Sequence, residues 1–595
     1  MTSRPDGPSP ARWRLPLAGL VALAAVGIAG VGPAGVTHRA AAADPVYAGP
    51  IADAPCDDQS LPESQQGRVS AADVADGRAA KGYTCNTAQV GHVGATGGFR
   101  VERYVDAAGH ECAYFDSTLL FPKDATSPEG PGTYVMDMTD HAHPVHVDTL
   151  TTPAMLSPHE SLRLNATRGL LVADMGYPTF NPGFVDVYDV TADCRHPVLR
   201  SSSPLGVLGH ESGFAPDGMT FYVAANSGHT LTALDLSNPA LPVILWVSAA
   251  YIPHGVSISD DGTRMYLADD FFNGLIILDT SQIQARVPNP QVPEISRLTW
   301  PEASIPQIAI PITVHGHPYV VEDDEYTSGT LNPTVAVPMV GAARIIDAAD
   351  EKHPVVVSNI RLAVHQTANR ATDQSTDPGA SGGAQGYAAH YCSVPTRVDP
   401  TIMACSMIVS GLRVFDIRDP LHPTEIGYFN GPVRPGTPGL KEGAFAMSSP
   451  AYDLAHHEIW YSDGNTGFYT VRLTSAAADI AGTGSTAAIP VPAATAPTQA
   501  AAPQSAPQSA PQAAPATAAR RPVVATRVRT TRTHGVRRVA GASARAAAPA
   551  RLAQPTRTLA FTGGAPLLTL GGVLAVVTGA GLARRPRARR RQAAP

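Results

Sequence analysis

Short apolar runs recur along the middle of the chain, and most of them end in an aspartate followed, a few residues later, by a Pro-Val pair. The aspartates of these runs are Asp137, Asp189, Asp235, Asp279, Asp347 and Asp416, and a seventh, degenerate run ends at Leu473. Between the runs, Asp-Gly turns precede further short apolar segments, as at Asp217-Gly218 and Asp261-Gly262, which is typical of β-hairpins. Seven units of about four short strands, without a long helix, predict an all-β fold. We expect a β-propeller of seven blades, with six or eight as the alternatives.

Two of these runs resemble a known repeat. The segments Leu275-Ile276-Ile277-Leu278-Asp279 and Gly411–Pro420 look like the LVIVD repeat of secreted bacterial and archaeal propellers, and the resemblance extends over residues 92–473. It implies a propeller fold and no particular activity.

The composition divides the remaining chain into regions. Residues 1–43 combine arginines, an apolar run and small residues before Asp44, which predicts a secretory signal peptide. Residues 44–91 form a cysteine-containing N-terminal segment, and residues 92–474 hold the repeats. Residues 475–558 are mostly Ala, Pro, Thr, Gln and Arg, and this scarcity of large apolar residues predicts a disordered stalk.

The last region, residues 559–595, resembles a cell-wall sorting signal. It contains the pentapeptide Leu559-Ala560-Phe561-Thr562-Gly563, an apolar stretch over 565–583 that is long enough for one transmembrane helix, and an arginine-rich tail. The same order is found in the signals that sortases read in actinobacteria. The resemblance implies cleavage after Thr562 and attachment to peptidoglycan, whereas a plain C-terminal membrane anchor is the alternative. Both place the protein outside the cell.

Charge differs sharply between the body and the stalk. The chain carries 43 basic and 50 acidic residues, yet sixteen arginines and no acidic residue follow Ile480. The body is therefore strongly acidic. Because it would repel phosphate backbones, we expect no nucleic-acid partner.

All six cysteines lie in the part that is predicted to be exported. An even number without a Cys-x-x-Cys motif favours disulfides in an oxidising compartment. Only Cys392 and Cys405 are close enough along the chain to suggest a pair. The sequence leaves four cysteines unpaired: Cys56, Cys85, Cys112 and Cys194.

A histidine recurs just before the predicted channel-lining strand in five units. These residues are His159, His210, His254, His317 and His390, each 25 to 30 residues before the aspartate of its unit, with His92 as a further candidate. Equivalent positions in a propeller are related by rotation, so we expect these imidazoles to converge at one channel mouth. Converging imidazoles suit copper or zinc. Glu160 and Glu211, each directly after a histidine, would then act as oxygen ligands or as hydrogen-bond acceptors.

Two functions remain open at this point. The first, which the sequence favours, is a non-enzymatic surface module that binds an unidentified protein, glycan or small ligand, with structural histidines like those of the Gly-His pairs in WD-repeat propellers. The second is a metal-dependent extracellular oxidoreductase, similar in kind to the selenium-binding proteins, which are copper-dependent methanethiol oxidases. Large parts of that family's sequence are absent here, so its substrate does not transfer. Another acidic segment, Asp323-Asp324-Glu325, is predicted to be a solvated turn.

Overall fold

The computed structural model of the chain describes residues 49–117, 130–176, 183–205, 208–300, 303–326, 340–381, 386–436 and 441–482. Their strands form seven antiparallel sheets, and the first strands of neighbouring sheets contact one another around a central axis. The chain is thus a seven-bladed β-propeller, which confirms the predicted fold class and blade number. The predicted signal peptide, the sorting signal and the stalk from residue 483 onward lie outside the described residues.

Each blade runs from a strand at the channel to a strand at the rim. The innermost strands of blades 1 to 7 are β3 (Val101–Val105), β7 (Arg163–Asn165), β11 (Gly213–Phe214), β15 (Pro253–Ile258), β19 (Ile305–Val314), β23 (Tyr391–Ser393) and β27 (Ala451–Asp453). The second strands are β4 (Glu111–Ser117), β8 (Leu170–Asp174), β12 (Thr220–Ala225), β16 (Arg264–Asp269), β20 (His317–Glu325), β24 (Ile402–Ser406) and β28 (Glu458–Asp463). The third strands are β5 (Gly132–Asp137), β9 (Val185–Asp189), β13 (Thr230–Asp235), β17 (Gly274–Asp279), β21 (Ala343–Asp347), β25 (Leu412–Asp416) and β29 (Gly467–Leu473). The outer strands are β6 (Val145–Leu150), β10 (Val198–Ser203), β14 (Val243–Ser248), β18 (Glu294–Leu298), β22 (Val355–Ile360), β26 (Thr424–Asn430) and, in blade 7, β2 (Thr87–Val93).

The helices of the described residues are short. They are α1 (Ala71–Ala75), α2 (Pro153–Leu156), α3 (Ser281–Gln284), α4 (Thr367–Thr376) and α5 (Ser475–Gly482), with 3-10 turns at Ala79–Lys81 and Ala363–His365. Ala477 and Ala481 of α5 pack on blades 6 and 7, so the folded body continues past residue 475, where the stalk was predicted to begin. In the described part of the chain, no helix has the length and apolar character needed to cross a bilayer.

The repeated aspartate ends a third strand and caps the turn that follows it. In six blades its Oδ1 accepts a hydrogen bond from the backbone N–H two residues later, at 2.8 to 3.0 Å. This is an Asx turn, which stops the strand at a fixed residue. The repeated aspartate therefore has a structural role at the end of the third strand.

The ring is closed by strands from both ends of the propeller. The N-terminal strand β2 pairs antiparallel with β29, so the predicted boundary at residue 92 falls inside a strand of blade 7. Directly before β2, β1 (Tyr83–Cys85) adds a fifth strand to blade 6 by pairing with β26. The segment predicted as N-terminal is therefore part of the propeller.

Three disulfides account for all six cysteines. Cys392 pairs with Cys405 across β23 and β24, which confirms the predicted pair. Cys112 pairs with Cys194, which is distant in sequence, and Cys56 pairs with Cys85 within the predicted N-terminal segment, residues 44–91. Disulfides at this density are typical of proteins from an oxidising compartment.

His141 links blade 1 to blade 7 at the closure of the ring. Its Nε2 lies 2.9 Å from Glu111 Oε2 and its Nδ1 lies 2.7 Å from Glu458 Oε2. Burial alone would lower the pKa of His141, but the two glutamates outweigh it and raise the pKa. The imidazolium therefore stabilises the fold below the unfolded pKa of about 6.5, and this contribution is lost as the pH rises through the raised folded value.

We expect His141→Gln to lower the free energy of unfolding by about 2 kcal/mol at pH 6, because hydrogen bonds to charged groups are lost. The loss should shrink as the pH rises towards 9, because the wild-type imidazolium becomes less populated. Denaturant titrations at the two pH values measure it, with His143→Gln as the control because the side chain of His143 is 83% exposed. An equal loss at both pH values would contradict the ionic role.

Candidate metal centre

Four of the five predicted histidines converge at one end of the channel. His159 and His210 precede β7 and β11, His254 is the second residue of β15, and His390 directly precedes β23. All four side chains are buried. They belong to blades 2, 3, 4 and 6, so the convergence depends on the closed ring.

The imidazoles approach one another through their Nε2 atoms. The Nε2 atoms of His210 and His254 lie 3.1 Å apart. The ring centroid of His210 is 4.5 Å from that of His159 and 4.3 Å from that of His254. Three neighbouring blades thus present a row of nitrogen donors.

Two carboxylates complete the cluster. Glu160 places Oε2 3.0 Å from His210 Nε2 and Oε1 3.2 Å from His390 Nε2. Glu325, the last residue of β20, places Oε1 2.9 Å from His254 Nε2 and Oε2 3.2 Å from His390 Nε2. The Nε2 of His159 lies 3.8 Å from Glu160 Oε1. The result is a buried set of four nitrogen donors and two carboxylates.

These separations match the edges of a metal coordination shell. With metal–ligand bonds of about 2.1 Å, neighbouring ligand atoms lie about 3.0 Å apart in an octahedron and about 3.4 Å apart in a tetrahedron. The contacts between His210, His254, His390 and the two glutamates span 2.9 to 3.2 Å. The donor set therefore fits a transition-metal ion in both spacing and chemistry.

Several of these contacts do not have the angles of hydrogen bonds. Within the described residues, Glu160 Oε2, Glu325 Oε2 and His390 Nε2 have no hydrogen-bond partner, although all three are buried and within 3.2 Å of an opposite group. These buried atoms therefore lie close to polar groups that do not satisfy them. A buried polar atom without a partner costs about 1 to 3 kcal/mol, and a bound cation would remove that cost.

Local backbone features aim the histidines at this position. His254 is the extra residue of a β-bulge, since Pro253 pairs with Asp269 and Gly255 with Ala268. A bulge turns its extra side chain away from the regular alternation. His159 has a φ of 54°, a value that non-glycine residues adopt rarely and that tends to be kept at functional sites.

A hydrogen bond selects the donor nitrogen of His390. Its Nδ1 donates to the backbone carbonyl of Met447, so Nε2 carries the free lone pair when the ring is neutral. A second bond of this kind orients metal-binding histidines and increases their basicity.

Aromatic side chains enclose the cluster. The Phe99 ring lies 4.7 Å from His159 and 5.1 Å from His390, measured between centroids. Tyr326 stacks on His390 at 5.2 Å, and Tyr391 meets the same ring edge-on at 4.7 Å. This wall excludes bulk water and strengthens electrostatic interactions inside it.

The electrostatics of the cluster favour positive charge. Burial alone would lower the pKa of His390, but the adjacent carboxylates of Glu160 and Glu325 outweigh it and raise the pKa to about 10. Burial likewise opposes protonation of His254, yet Asp270 and Glu325 raise its pKa to about 10. Burial lowers the pKa of His159 to about 3, and the attraction of Glu160, whose Oε1 lies 3.8 Å away, does not offset it. The carboxylates thus attract cations, and a metal ion would replace the imidazole protons.

His317 lies away from the cluster. It is the first residue of β20, and Glu325, which belongs to the cluster, is the last. At 3.3 Å per residue these two ends of the strand lie about 26 Å apart. The Nε2 of His317 contacts Asp347 Oδ1 at 3.0 Å. The equal sequence spacing was misleading because β19 and β20 are long strands, so that the residue thirty positions before Asp347 lies next to the hairpin turn that joins them.

Glu211 and His92 also have other roles. Glu211 Oε1 accepts hydrogen bonds from Arg100 at 3.0 Å and from Arg163 at 2.7 Å, and burial raises its pKa to about 8. It therefore lies beside the cluster but is held by two guanidinium groups. His92 is in β2, where its Nε2 is 2.6 Å from the Thr466 carbonyl oxygen, a contact within blade 7.

Little in the order of residues favoured Glu325 as a ligand. The segment Asp323-Asp324-Glu325 is buried at the end of β20 and is not the solvated turn that was predicted. One signal was available. Gln307 occupies in β19 the bulge position that His254 occupies in β15, and Glu325 then stands where blade 4 has Asp270. Aligning the blades on this bulge would have drawn attention to Glu325.

No protein-family model and no curated protein sequence matches the chain. Solved structures with a similar fold include the periplasmic gluconolactonase PpgL of Pseudomonas aeruginosa, 14% identical, with 62% of this chain and 97% of that chain covered and a TM-score of 0.37. A candidate 6-phosphogluconolactonase of Bacteroides fragilis is 12% identical, with coverages of 58% and 89% and a TM-score of 0.38. At TM-scores below 0.5 these structures say nothing about the function of this chain. Its fold is established by the strand pairing described above.

Proposed function

We propose that this protein is a metal-dependent oxidoreductase of the cell exterior. The observation that carries the proposal is the convergence of four imidazole Nε2 atoms and two carboxylates at the channel end. Donor sets rich in imidazole suit copper, iron and zinc, and the first two of these metals supply one-electron chemistry when bound. His159, His210, His254 and His390 would hold the metal, with Glu160 and Glu325 as its oxygen ligands.

The surroundings of the centre support redox chemistry. Tyr326 and Tyr391, whose rings are electron-rich, contact the ring of His390 directly. The side chains of His159 and His210 keep 8% and 9% exposure, whereas His254 and His390 keep at most 1%. A small molecule would therefore reach the centre from the side of blades 2 and 3, while Phe99 and Tyr326 keep bulk water out.

Metal analysis and a redox titration test this function. We expect the full-length protein, purified from the cells that produce it, to contain at least about one copper or iron ion per chain. Its absorption or EPR signal should change reversibly on reduction. Retention of zinc alone would indicate a non-redox centre. Retention of no metal, even after loading with copper and washing, would leave the oxidoreductase without support.

A second candidate is the surface module that binds a ligand through the channel face. An exposed aromatic side chain supports it: Phe271 is 79% exposed in the turn after β16, next to the half-buried Asp270 that interacts with His254. A metal-free protein that still binds an extracellular polymer, with loss of binding in Phe271→Ala, would favour this module.

Two finer assignments accompany the proposal. We assign the repeats to the LVIVD type, because the segments that resemble it form the third strands β17 and β25 and end in Asx turns. We also propose that a sortase attaches Thr562 to peptidoglycan, and that the Ala/Pro/Arg-rich stalk holds the propeller beyond the wall.

We expect Thr562→Ala to move the protein from the wall fraction to the membrane fraction, because the variant loses the threonine side chain by which a sortase recognises the pentapeptide. Detergent extraction of cell envelopes, followed by immunoblotting, measures the distribution. Thr558→Ala, just before the pentapeptide, serves as the matched control. Unchanged wall attachment of the Thr562 variant would contradict sorting.

A further inference from the structure

Each of the two glutamates in the metal cluster divides its oxygens between different histidines. Glu325 Oε1 faces His254 at 2.9 Å, while its Oε2 faces His390 at 3.2 Å. Glu160 Oε2 faces His210 at 3.0 Å, while its Oε1 faces His390 at 3.2 Å. In both residues the two oxygens therefore belong to opposite sides of the cluster.

The ligand atoms accordingly form two groups. The first consists of His210 Nε2, His254 Nε2 and Glu325 Oε1, which lie within 4.8 Å of one another, and it is joined by Glu160 Oε2. The second consists of His390 Nε2 with one oxygen each of Glu160 and Glu325, again within 4.8 Å, and it is joined by His159 Nε2. Each group contains two imidazoles and two carboxylate oxygens.

A single metal ion cannot bind all of these ligand atoms at once. Bonds of about 2.1 Å gather only atoms that lie within about 4.2 Å of one another, the distance across an octahedron. Three overlapping triads among the six side chains bring their ligand atoms within 4.8 Å of one another: His159, Glu160 and His210; His210, His254 and Glu325; and Glu160, Glu325 and His390. A single ion in the first group would leave His390 and His159 without a role, and one in the second would leave the 3.1 Å pair of His210 and His254 unused.

We propose that the channel holds two metal ions, bridged by Glu160 and Glu325. The inference rests on the proposed metal centre and specifies it. His210 and His254 bind one ion, and His159 and His390 bind the other. Carboxylates that bridge in this way hold two metals about 3.5 to 4 Å apart, close enough for both to act on one small molecule.

The charges near the cluster accommodate two divalent ions. Glu160 and Glu325 supply two negative charges, and Asp270 adds another that interacts with His254 and His210. Glu160 and Glu325 are buried and Asp270 is half-buried, so water screens these charges only in part. A pair of ions therefore leaves only a small excess of positive charge, which an anionic substrate or hydroxide would balance.

Copper(II) titration of the full-length protein distinguishes one ion from two. We expect saturation at two copper ions per chain by elemental analysis, and a half-field EPR signal from an interacting pair. The variant His210→Ala/His254→Ala should bind one copper and lose the half-field signal. Glu325→Gln should also lose it, because an amide offers a single oxygen donor, whereas Glu351→Gln, altered in a surface ion pair with Arg264, should keep it.

The outcomes separate the two proposals. Saturation at one copper with a full single-ion EPR signal would overturn the two-ion centre and leave the metal-dependent function standing. Binding of no copper would overturn both. Two coppers with a half-field signal that survives in Glu325→Gln, while thermal melting shows that variant to be folded, would refute the bridge.

Discussion

The variant His210→Ala/His390→Ala will bind copper more than about a hundredfold more weakly than the wild type, because it loses one imidazole from each side of Glu160. The two histidines contact different oxygens of this glutamate, at 3.0 and 3.2 Å. Without them, any ion in the channel keeps at most one imidazole together with the carboxylates, and carboxylate-rich sets hold copper less well than imidazole-rich ones.

Competition with a chromophoric chelator measures this affinity. His317→Ala is the matched control, since it removes a histidine of the same predicted series that begins β20 and contacts Asp347. The control should bind copper as the wild type does. Equal affinity in the double variant would show that the cluster does not bind the metal.

The second large effect concerns stability. Replacing Arg344 by Met will lower the free energy of unfolding by about 3 to 5 kcal/mol, because the change leaves two carboxylates buried without their cation. The guanidinium pairs with Glu322 and, at 2.9 Å, with Asp324, and all three side chains are fully buried. It also lies 4.2 Å above the Trp300 ring.

The cluster of Arg344, Glu322 and Asp324 shares strand β20 with Glu325 of the candidate site. Glu322 and Asp324 lie on β20, whose last residue is Glu325, and burial already raises the pKa of Glu322. Without Arg344, protonation of these carboxylates would relieve part of the penalty, so the loss should be smaller at pH 5 than at pH 8. Denaturant titration measures it, with Arg264→Met as the control because the Arg264–Glu351 pair is partly exposed and worth at most about 1 kcal/mol. A loss below that of the control would contradict the role of Arg344.

The fold could be predicted because its signals are local. Asp189 and its counterparts end six of the seven third strands through a hydrogen bond two residues away, and Asp-Gly turns fix hairpins before two of them. Both devices appear directly in the order of residues. The pairing of Cys112 with Cys194 depends instead on how blades 1 and 2 meet, which no local pattern encodes.

The candidate site was only partly predictable for the same reason. His159, His210, His254 and His390 kept a similar distance from the repeated aspartate, because their blades have strands of ordinary length. His317 failed because the β19–β20 hairpin is longer. Glu325 was not predicted as a ligand. Blade 5 has Gln307 at the bulge position where blade 4 has His254, and its side chain in the cluster is instead Glu325, at the end of β20.

The anomalous scattering of a copper-loaded crystal tests the central claim most directly. The account predicts anomalous peaks at the end of the channel, within about 2.0 to 2.3 Å of Nε2 of His210, His254 or His390. Such peaks should disappear in His210→Ala/His390→Ala. Well-defined imidazoles in copper-soaked crystals, with no anomalous peak near them, would contradict the metal centre on which the proposed function rests.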